Sequence, residues 1–556
     1  MLQYLTNNNI TILSLNPLTI VLILFSILYA IYRYYYSTNG CNHWEAQGVK
    51  TVSFGLWTRM TTKWYRLEQE LYRKYGKCFG VYEGNRPVLY LADPELIRDV
   101  LVKDFHVFTN RRDVRAGFLM NKMIANLKDD DWKRVRTVIS PTFTSGKLRK
   151  MLPLITDCLK TLNCMLETAS LETGQPYDMK TVYCGYTMEV ILQVSFGVKV
   201  DAMLDKDNPI ILNAGKLLAH EFRSLYLTVM FLPKLADYLQ LSVFDESVIE
   251  FFHDFTLKVI ADRRNLMKQI AANPNGRYGK KRVDFLQLML DSADSNNNES
   301  MDDMMDNTNT TTHTNTMDDE KYGEYDKQTN NSNVTKKYLS NDELIASCVV
   351  FFVAGFENTI TTLSIITYLL AANPDCQQRL YEEVVNYFSN QSDEQEVTDY
   401  EALNSMEYLD SVIKETLRLY PNSQALEREA GEDYRLGGPN GISIKKGQLV
   451  HILNYAMQHD GALYPEPEQF RPERFSKANQ TSKQVNPYAY LPFGGGPRNC
   501  VGMRLAQIVI KLAIINAVYR YKFYSTGKPL EFYNYQVFGI MTPKNVCVRV
   551  EKRQQN

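Results

Sequence analysis

The sequence predicts a mainly helical α+β protein with a small β-sheet region and an N-terminal transmembrane helix. Three observations predict this class: an uncharged run over residues 10–32, a long apolar helical segment after Ser340, and a glycine-rich loop at 493–502 followed by a helical pattern. The strand signals are short hairpins, so the sheet is expected to be small.

The composition excludes several classes of protein. The chain has 556 residues, of which 45% are hydrophobic, enough for a sizeable core. A formal net charge of −1 argues against a nucleic-acid-binding protein. The nine cysteines form no CxxC pair and the seven histidines are dispersed, so we expect reduced thiols and no zinc site.

The N-terminal 33 residues have the pattern of a membrane anchor. Residues 10–32 carry no charged side chain, and as a helix they would be about 35 Å long. A cleavable signal peptide, the alternative, needs a basic start and a small-residue cleavage site that are not evident. Cationic residues begin only at Arg33, which predicts a cytosolic body. We expect an anchor at 1–33, a junction at 34–60 and a folded body at 61–556.

Several local signals define the first half of the body. Residues 79–91 read as a β-hairpin, and Asp93 and Pro94 start a helix as N-cap and first residue. Trp132 and Arg136 lie four residues apart, on one helix face. Residues 205–265 hold apolar helices, whereas 294–337, rich in Asn, Asp and Thr, is expected to be a disordered insertion.

A long buried helix is predicted between Ser340 and Pro374. Ser340 and Glu343 form a capping box, and the apolar pattern extends for about 50 Å until the proline stops it. In its middle stands Ala-Gly-Phe-Glu-Asn-Thr at 354–359. Gly355 costs about 1 kcal/mol against alanine, and we interpret it as leaving room for a ligand. Glu357 has no surface explanation in so apolar a helix.

The loop Phe-Gly-Gly-Gly-Pro-Arg-Asn-Cys-Val-Gly at 493–502 is the strongest candidate site. Its glycines allow close approach of the backbone, and Cys500 stands at the start of a helix, where the dipole favours a thiolate. A lone cysteine is ordinarily a small buried hydrophobe. The glycine loop, the thiolate and Arg498 together favour a large, flat, anionic cofactor ligated by sulfur, namely haem.

This loop resembles the cysteine-ligand loop of the cytochrome P-450 superfamily, and within it the microsomal drug-metabolising and thromboxane-synthase branch. The resemblance extends over most of the chain from about residue 70 onward. It implies haem b with Cys500 as the axial ligand, in a haem-thiolate fold. It also implies further cofactor-binding residues, Arg111, Trp132, Arg136, Arg428, Phe493 and Arg498, and a structural triad of Glu415, Arg418 and Arg474.

The resemblance assigns the catalytic positions to Glu357, Asn358 and Thr359, with one departure. The family has a threonine directly after the acid, where it donates a hydrogen bond to dioxygen, and this chain has Asn358 there. Thr359 comes one residue later, a rotation of about 100°, so we expect it to point away from the iron. The amide predicts either proton delivery through ordered water or an enzyme that needs no dioxygen activation.

The function implied is a monooxygenase that uses O₂ and NADPH-derived electrons to oxidise lipophilic small molecules such as xenobiotics, fatty acids or steroids. The chain has no G-x-G-x-x-G or flavin-type motif, so the electrons are expected from a flavoprotein reductase, with cytochrome b5 as a further partner. The expected location is the endoplasmic-reticulum membrane, in contact with lipid. Two alternatives stay open: a haem-thiolate isomerase acting on lipid endoperoxides without a reductase, and a non-catalytic haem-binding protein.

Overall fold

The fold was analysed in a computed structural model of the chain. It describes isolated positions between 22 and 30, and then residues 42–52, 62–83, 86–113, 118–171, 174–199, 208–218, 246–272, 284–294, 339–389, 400–477, 486–533 and 540–554. The predicted disordered insertion after Asp294, residues 219–245 of the predicted apolar helices and most of the predicted membrane anchor lie outside the described residues.

The described part is mainly helical, as predicted. Its α-helices, in chain order, are α1 Trp64–Tyr75, α2 Pro94–Arg98, α3 Phe118–Asn121, α4 Asp129–Ile139, α5 Ser145–Asp157, α6 Leu159–Leu171, α7 Met179–Ile191, α8 Pro209–Leu218, α9 Glu246–Ala272, α10 Phe285–Asp294, α11 Asn341–Ala372, α12 Pro374–Ser389, α13 Tyr400–Ser405, α14 Glu407–Leu419, α15 Asn454–Gln458 and α16 Met503–Arg520. A π-helical turn, Asp99–Lys103, follows α2, and a second, Leu192–Phe196, follows α7.

The described residues contain ten short strands, which form three small sheets. They are β1 Thr51–Val52, β2 Cys78–Glu83, β3 Arg86–Leu91, β4 Tyr177–Asp178, β5 Leu426–Glu429, β6 Tyr434–Leu436, β7 Ile442–Ile444, β8 Leu449–Ile452, β9 Tyr521–Ser525 and β10 Cys547–Lys552. The largest sheet has the order β1-β2-β3-β8-β5, and the others are β4-β10-β9 and β6-β7. The predicted hairpin at 79–91 is the antiparallel pair of β2 and β3.

The long helix α11 organises the core. The capping box at its start is present, since the Ser340 hydroxyl accepts from the Glu343 N–H and the Glu343 carboxylate accepts from the Ser340 N–H. Helices α7, α9, α14 and α16 pack around it, so most of its side chains are buried in the larger of two hydrophobic clusters. The smaller cluster lies under the five-stranded sheet.

Among the described residues, α11 is the helix long and apolar enough to cross a membrane. Of its most apolar window, 61% is buried inside the protein, which is the behaviour of a core helix. The predicted role of α11 as the buried central helix is therefore confirmed. The described positions between 22 and 30 are helical, and large apolar side chains there, such as Phe25, are exposed.

Candidate functional site

The loop at 493–502 closes on itself before α16 begins. The Cys500 N–H donates to the Phe493 carbonyl at 2.9 Å, and Gly494 and Gly496 have φ values of 76° and 69°. These are left-handed conformations that glycine adopts without strain. The left-handed backbone conformation of the loop therefore explains why glycine stands at two of its three consecutive glycine positions.

The space next to these glycines is occupied by other parts of the protein. A Cβ on Gly496 would lie 1.8 Å from the Leu101 carbonyl oxygen, and one on Gly495 would lie 3.1 Å from a Leu101 methyl. The π-helical turn Asp99–Lys103 thus packs directly on the loop. Gly355 in α11 has a similar neighbour, since a Cβ there would lie 3.3 Å from the Ile191 side chain. These glycines permit close packing between elements, which differs from the expectation of room for a ligand.

The Cys500 side chain is accessible although protein surrounds it. Burial raises the pKa of its thiol, while the Gly502 N–H, Arg136 and Arg111 act in the opposite direction. The expectation that the helix start leaves a lowered thiol pKa is therefore wrong, because desolvation outweighs the local donors. A metal ion removes this penalty, since it binds the thiolate and displaces the proton.

Arg498 of this loop lies close to three arginines from distant parts of the chain, Arg111, Arg136 and Arg428. Burial, with a contribution from neighbouring Arg111, lowers the pKa of Arg428 to about 9. Burial likewise lowers the pKa of Arg498 to about 8, with Arg111 and Arg428 contributing. The pKa of Arg111 is lowered by burial and by Arg136, although the Cys500 sulfur opposes the shift. The structure thus concentrates positive charge in the interior beside Cys500.

Trp132 and Arg136 of α4 share one buried face, as predicted. Arg136 donates to the Asn499 carbonyl at 3.0 Å and to the Asn499 side-chain oxygen at 2.7 Å. The Arg498 guanidinium lies over the Trp132 ring at 5.0 Å. Both α4 side chains are buried, so Arg136 is not an exposed charge covering an aromatic ring. The pair fixes α4 against the cysteine loop.

The donors of two arginines show what this site can bind. The Nη atoms of Arg498 donate to the carbonyls of Thr109, Ala125 and Leu127, whereas Arg428 donates to the Glu427 carbonyl. The Nε atoms of both arginines are buried and have no hydrogen-bond partner in the part of the chain that the structure describes. Buried cationic donors of this kind are satisfied by carboxylates. Haem needs a ligand for its iron and hydrogen-bond donors for its two carboxylates. The accessible Cys500 sulfur and the buried arginine Nε atoms beside it fit these two needs.

One stripe of α11 is accessible although most of the helix is buried. Ala354 is exposed, and Val350 and Asn358, four residues away on either side, are partly so. Residues at this spacing lie on one helix face. The Asn358 Nδ2 donates to the Ala354 carbonyl at 2.9 Å, while its Oδ1 is buried with no hydrogen-bond partner in the described residues. Thr359, one residue later, is buried.

Glu357 forms an ion pair that the sequence did not indicate. Its carboxylate lies 3.4 Å from the Lys180 Nζ of α7, which also donates to the Pro543 carbonyl at 3.1 Å. The two side chains are 12% and 20% exposed, so the pair lies at the edge of the core. This partner explains how a carboxylate is tolerated in so apolar a helix.

Glu415, Arg418 and Arg474 lie together, as the resemblance implied. Arg418 donates to both Glu415 oxygens at 2.7 and 2.8 Å, and Arg474 donates to the same carboxylate at 3.2 Å. Arg418 and Glu415 are completely buried. Arg418 also donates to the Gln458 carbonyl at 2.9 Å, so the cluster ties α14 to the chain that leads into the cysteine loop.

Sequence reasoning missed three participants of this region. Lys180 pairs with Glu357 across 177 residues, and no local pattern could have identified it. Leu101 fixes the glycine loop through its backbone carbonyl, which carries no residue-type signal. Asn499 accepts from Arg136, and its place within the loop motif beside Cys500 was the available signal.

Comparisons with known proteins agree with this geometry. The family model for cytochrome P450 matches residues 51–318 and 312–548. Cytochrome P450 3A2 of Rattus norvegicus is 39% identical over 463 residues, covering 82% of this chain and 81% of the relative. Cytochrome P450 3A12 of Canis lupus familiaris is 38% identical over 498 residues, covering 88% and 87%. Cytochrome P450 3A41 of Mus musculus is 37% identical over 514 residues, covering 89% of each chain.

Proposed function

Because the chain belongs to the cytochrome P450 family and is a haem-thiolate monooxygenase of lipophilic molecules, we propose that Cys500 supplies its axial thiolate. Bound haem supplies the activation of dioxygen and the transfer of one oxygen atom to the substrate. The observation that carries the assignment is the accessible Cys500 sulfur in a loop held by Arg111 and Arg136.

Replacement of Cys500 by serine tests the ligand directly. The reduced, carbon-monoxide-bound wild type is expected to show the red-shifted Soret band of thiolate ligation, and the Ser variant is expected to lack it. Cys348, buried in α11, is the matched control, and its replacement by serine leaves the band in place. Persistence of the band in the Cys500 variant would identify another residue as the ligand.

The buried arginines form the proposed binding site for the two haem carboxylates. Arg428 and Arg498 offer Nε donors, and Arg111 and Arg136 add positive charge on the sulfur side. The Trp132 ring under Arg498 keeps that guanidinium in place, and Phe493 anchors the loop through its carbonyl. A dianion at this site offsets both the burial and the mutual repulsion that lower the arginine pKa values.

The accessible stripe of α11 forms the proposed wall of the substrate site. Val350 and Ala354 are apolar, which suits lipophilic substrates such as xenobiotics, fatty acids or steroids. Asn358 lies on the same stripe, and its buried Oδ1 can accept a hydrogen bond from an ordered water. Glu357, held by Lys180, is the acid that supplies protons to this water. Thr359 is the third residue of the proposed catalytic segment, with its side chain directed away from this water.

The exchange Asn358→Thr tests the proposed water-mediated proton delivery. A hydroxyl accepts and donates at once and passes a proton directly, whereas an amide does not. We therefore expect less hydrogen peroxide released per NADPH consumed in the Thr variant, and slower turnover in Glu357→Gln. The matched control is Asn422→Thr, since Asn422 also contacts α11 but does so through Thr362. Unchanged peroxide release in Asn358→Thr refutes the role of the amide.

The amide at position 358 also favours a second candidate, isomerisation of lipid endoperoxides without a reductase, because that reaction needs no proton delivery to dioxygen. Product formation from a lipid endoperoxide without reductase, together with no NADPH-supported oxidation, would establish it. Haem binding without turnover in either assay would instead indicate a non-catalytic haem protein.

The remaining proposals concern the surroundings of the enzyme. We infer that residues 1–33 anchor it in the endoplasmic-reticulum membrane with the body in the cytosol, and that a flavoprotein reductase, assisted by cytochrome b5, delivers the electrons. The uncharged run at 10–32, followed by cationic residues, supports the topology. Protease added to intact microsomes is expected to digest the body, and protection of the body would reverse the topology.

A further inference from the structure

A row of buried polar and charged side chains crosses the five-stranded sheet behind Arg111 and Arg428. Tyr90 of β3, His451 of β8 and Glu427 of β5 are successive cross-strand partners. The Tyr90 and His451 rings stack at 4.5 Å, and Glu427 binds Arg112 at 2.7 Å. Glu68 of α1 completes the row, and its carboxylate lies 2.8 Å from the Nε2 atom of the His451 ring.

His451 is a cation in this row by its geometry. Its Nδ1 lies 3.0 Å from Glu427 and its Nε2 lies 2.8 Å from Glu68. Carboxylates accept hydrogen bonds, so both ring nitrogens donate, which only the imidazolium form can do. The His451 and Glu68 side chains are 10% and 1% exposed. Away from solvent, the His451 ring therefore links β8 to α1 through Glu68 and to β5 through Glu427.

The row continues into the strand pairing that carries the proposed haem-carboxylate site. The Glu429 N–H donates to the Asn110 carbonyl at 2.9 Å in an antiparallel bridge. Continued past this single bridge, the same register would set residue 112 opposite residue 427 and residue 111 opposite residue 428, and the Arg112–Glu427 ion pair agrees with it. Side chains alternate along extended chain, so the Arg112–Glu427 ion pair lies on one side of the pairing. On the other side stand the two like-charged arginines of 111 and 428.

Like charges opposite each other destabilise a strand pairing, so an opposing attraction is needed. The reverse side provides it, since Arg112 is held by Glu427 and by Glu83 at 2.7 Å, and Glu427 is held in turn by His451. Counting Glu68, the row contains two cations and three carboxylates. These opposite charges hold one another on the reverse side of the pairing, and Glu427 is the member of the row that belongs to β5.

We propose that His451 is a positioning residue for haem binding: clamped between Glu68 and Glu427, it fixes β5 so that Arg111 and Arg428 stay side by side and present their donors to the haem carboxylates. This inference rests on the proposed role of those arginines. It assigns a function at the cofactor site to a histidine that has no contact with the arginines themselves and acts through Glu427.

The test compares haem retention in two buried-histidine variants of the full-length holoenzyme. In His451→Gln we expect haem transfer to excess apomyoglobin to be about tenfold faster, the effect typical of losing an outer partner of a ligand-holding residue. Loss of one positive charge behind the site also lowers the haem midpoint potential, because the oxidised iron is stabilised. The matched control is His459→Gln, since His459 is equally buried but hydrogen-bonds the Tyr455 carbonyl and stacks on its ring.

The outcomes of this comparison distinguish failure of the His451 role from failure of the proposed arginine site. If Arg428→Gln accelerates haem transfer and His451→Gln does not, the positioning role is refuted while the arginine site stands. If neither variant accelerates transfer, the proposed arginine site fails first. Equal acceleration and an unchanged potential in both histidine variants would reduce His451 to a general stability role and overturn the proposal. Where His451→Gln takes up no haem, Glu68→Gln is the milder variant, with faster transfer expected and unchanged transfer refuting the role.

Discussion

Replacing Arg418 by methionine is expected to destabilise the protein more than any surface ion-pair change. The Arg418 and Glu415 side chains are fully buried and bonded through two contacts of 2.7 and 2.8 Å. Removing Arg418 leaves the buried Glu415 carboxylate with Arg474, 3.2 Å away, as its ionic partner, so we expect a loss near the lower end of the about 3–5 kcal/mol that breaking a buried pair costs. Arg418 also donates to the Gln458 carbonyl, which would lose its partner at a further cost of about 1 kcal/mol.

That loss is a large part of the total stability of a folded domain, about 5–15 kcal/mol. The assay is chaotrope-induced unfolding of the purified holoenzyme, followed by circular dichroism and by the Soret band. Arg379 is the matched control, because its ion pair with Glu473 is exposed. Arg379→Met is expected to cost about 0–1 kcal/mol.

A double variant separates charge from packing. In Glu415→Leu with Arg418→Met the buried carboxylate is gone, and Arg474, which is 12% exposed, keeps its hydrogen bond to the Glu466 carbonyl, so part of the lost stability should return. Arg418→Met within about 1 kcal/mol of the wild type, indistinguishable from the Arg379 variant, would refute the reasoning. So would a double variant that is less stable than the single one, since the cost would then reside in packing.

Three further outcomes are expected. Gly496→Ala should impair folding and haem uptake, because its Cβ meets a carbonyl oxygen at 1.8 Å and its φ is 69°, whereas Gly461→Ala, with open space around it, should not. Replacing residues 294–337 with a short Gly/Ser linker should leave the Soret band intact, because the segment offers little apolar surface. Burial opposes the charge of His451, yet Glu68 and Glu427 raise its pKa from 6.5 to about 10, so its contribution to stability is complete below pH 6.5 and is lost as the pH rises through 10. The unfolding free-energy difference between wild type and His451→Gln should therefore shrink over that window by up to about 1.4 kcal/mol per pH unit, and a constant difference would contradict the charged state.

The elements predicted from the sequence are those whose signals are local. The capping box at Ser340 depends on residues three apart, and the Asp93 side chain accepts from two N–H groups at the start of α2. The hairpin of β2 and β3 likewise follows from one continuous stretch of chain, residues 79–91. Such signals need no knowledge of the tertiary fold.

The missed features depend on contacts between residues far apart in the chain. His451 looks like an ordinary strand residue, and its charged state follows only when Glu68, 383 residues away, is brought to its ring. The same holds for Lys180 beside Glu357. The thiol pKa of Cys500 was predicted in the wrong direction because a helix start is visible in the sequence, whereas the desolvation that outweighs it is a property of the assembled fold.

The electrostatics of the site connect cofactor binding to folding. Burial raises the pKa of the Cys500 thiol and lowers the pKa of Arg428 and Arg498, so the fold disfavours the charged forms of both kinds of group. One molecule that carries a metal ion at its centre and two carboxylates at its edge relieves both penalties at once. Because such a ligand binds the folded chain, its binding free energy adds to stability. The ligand loop and the arginine site are therefore one coupled unit, and variants of either should lose haem and stability together.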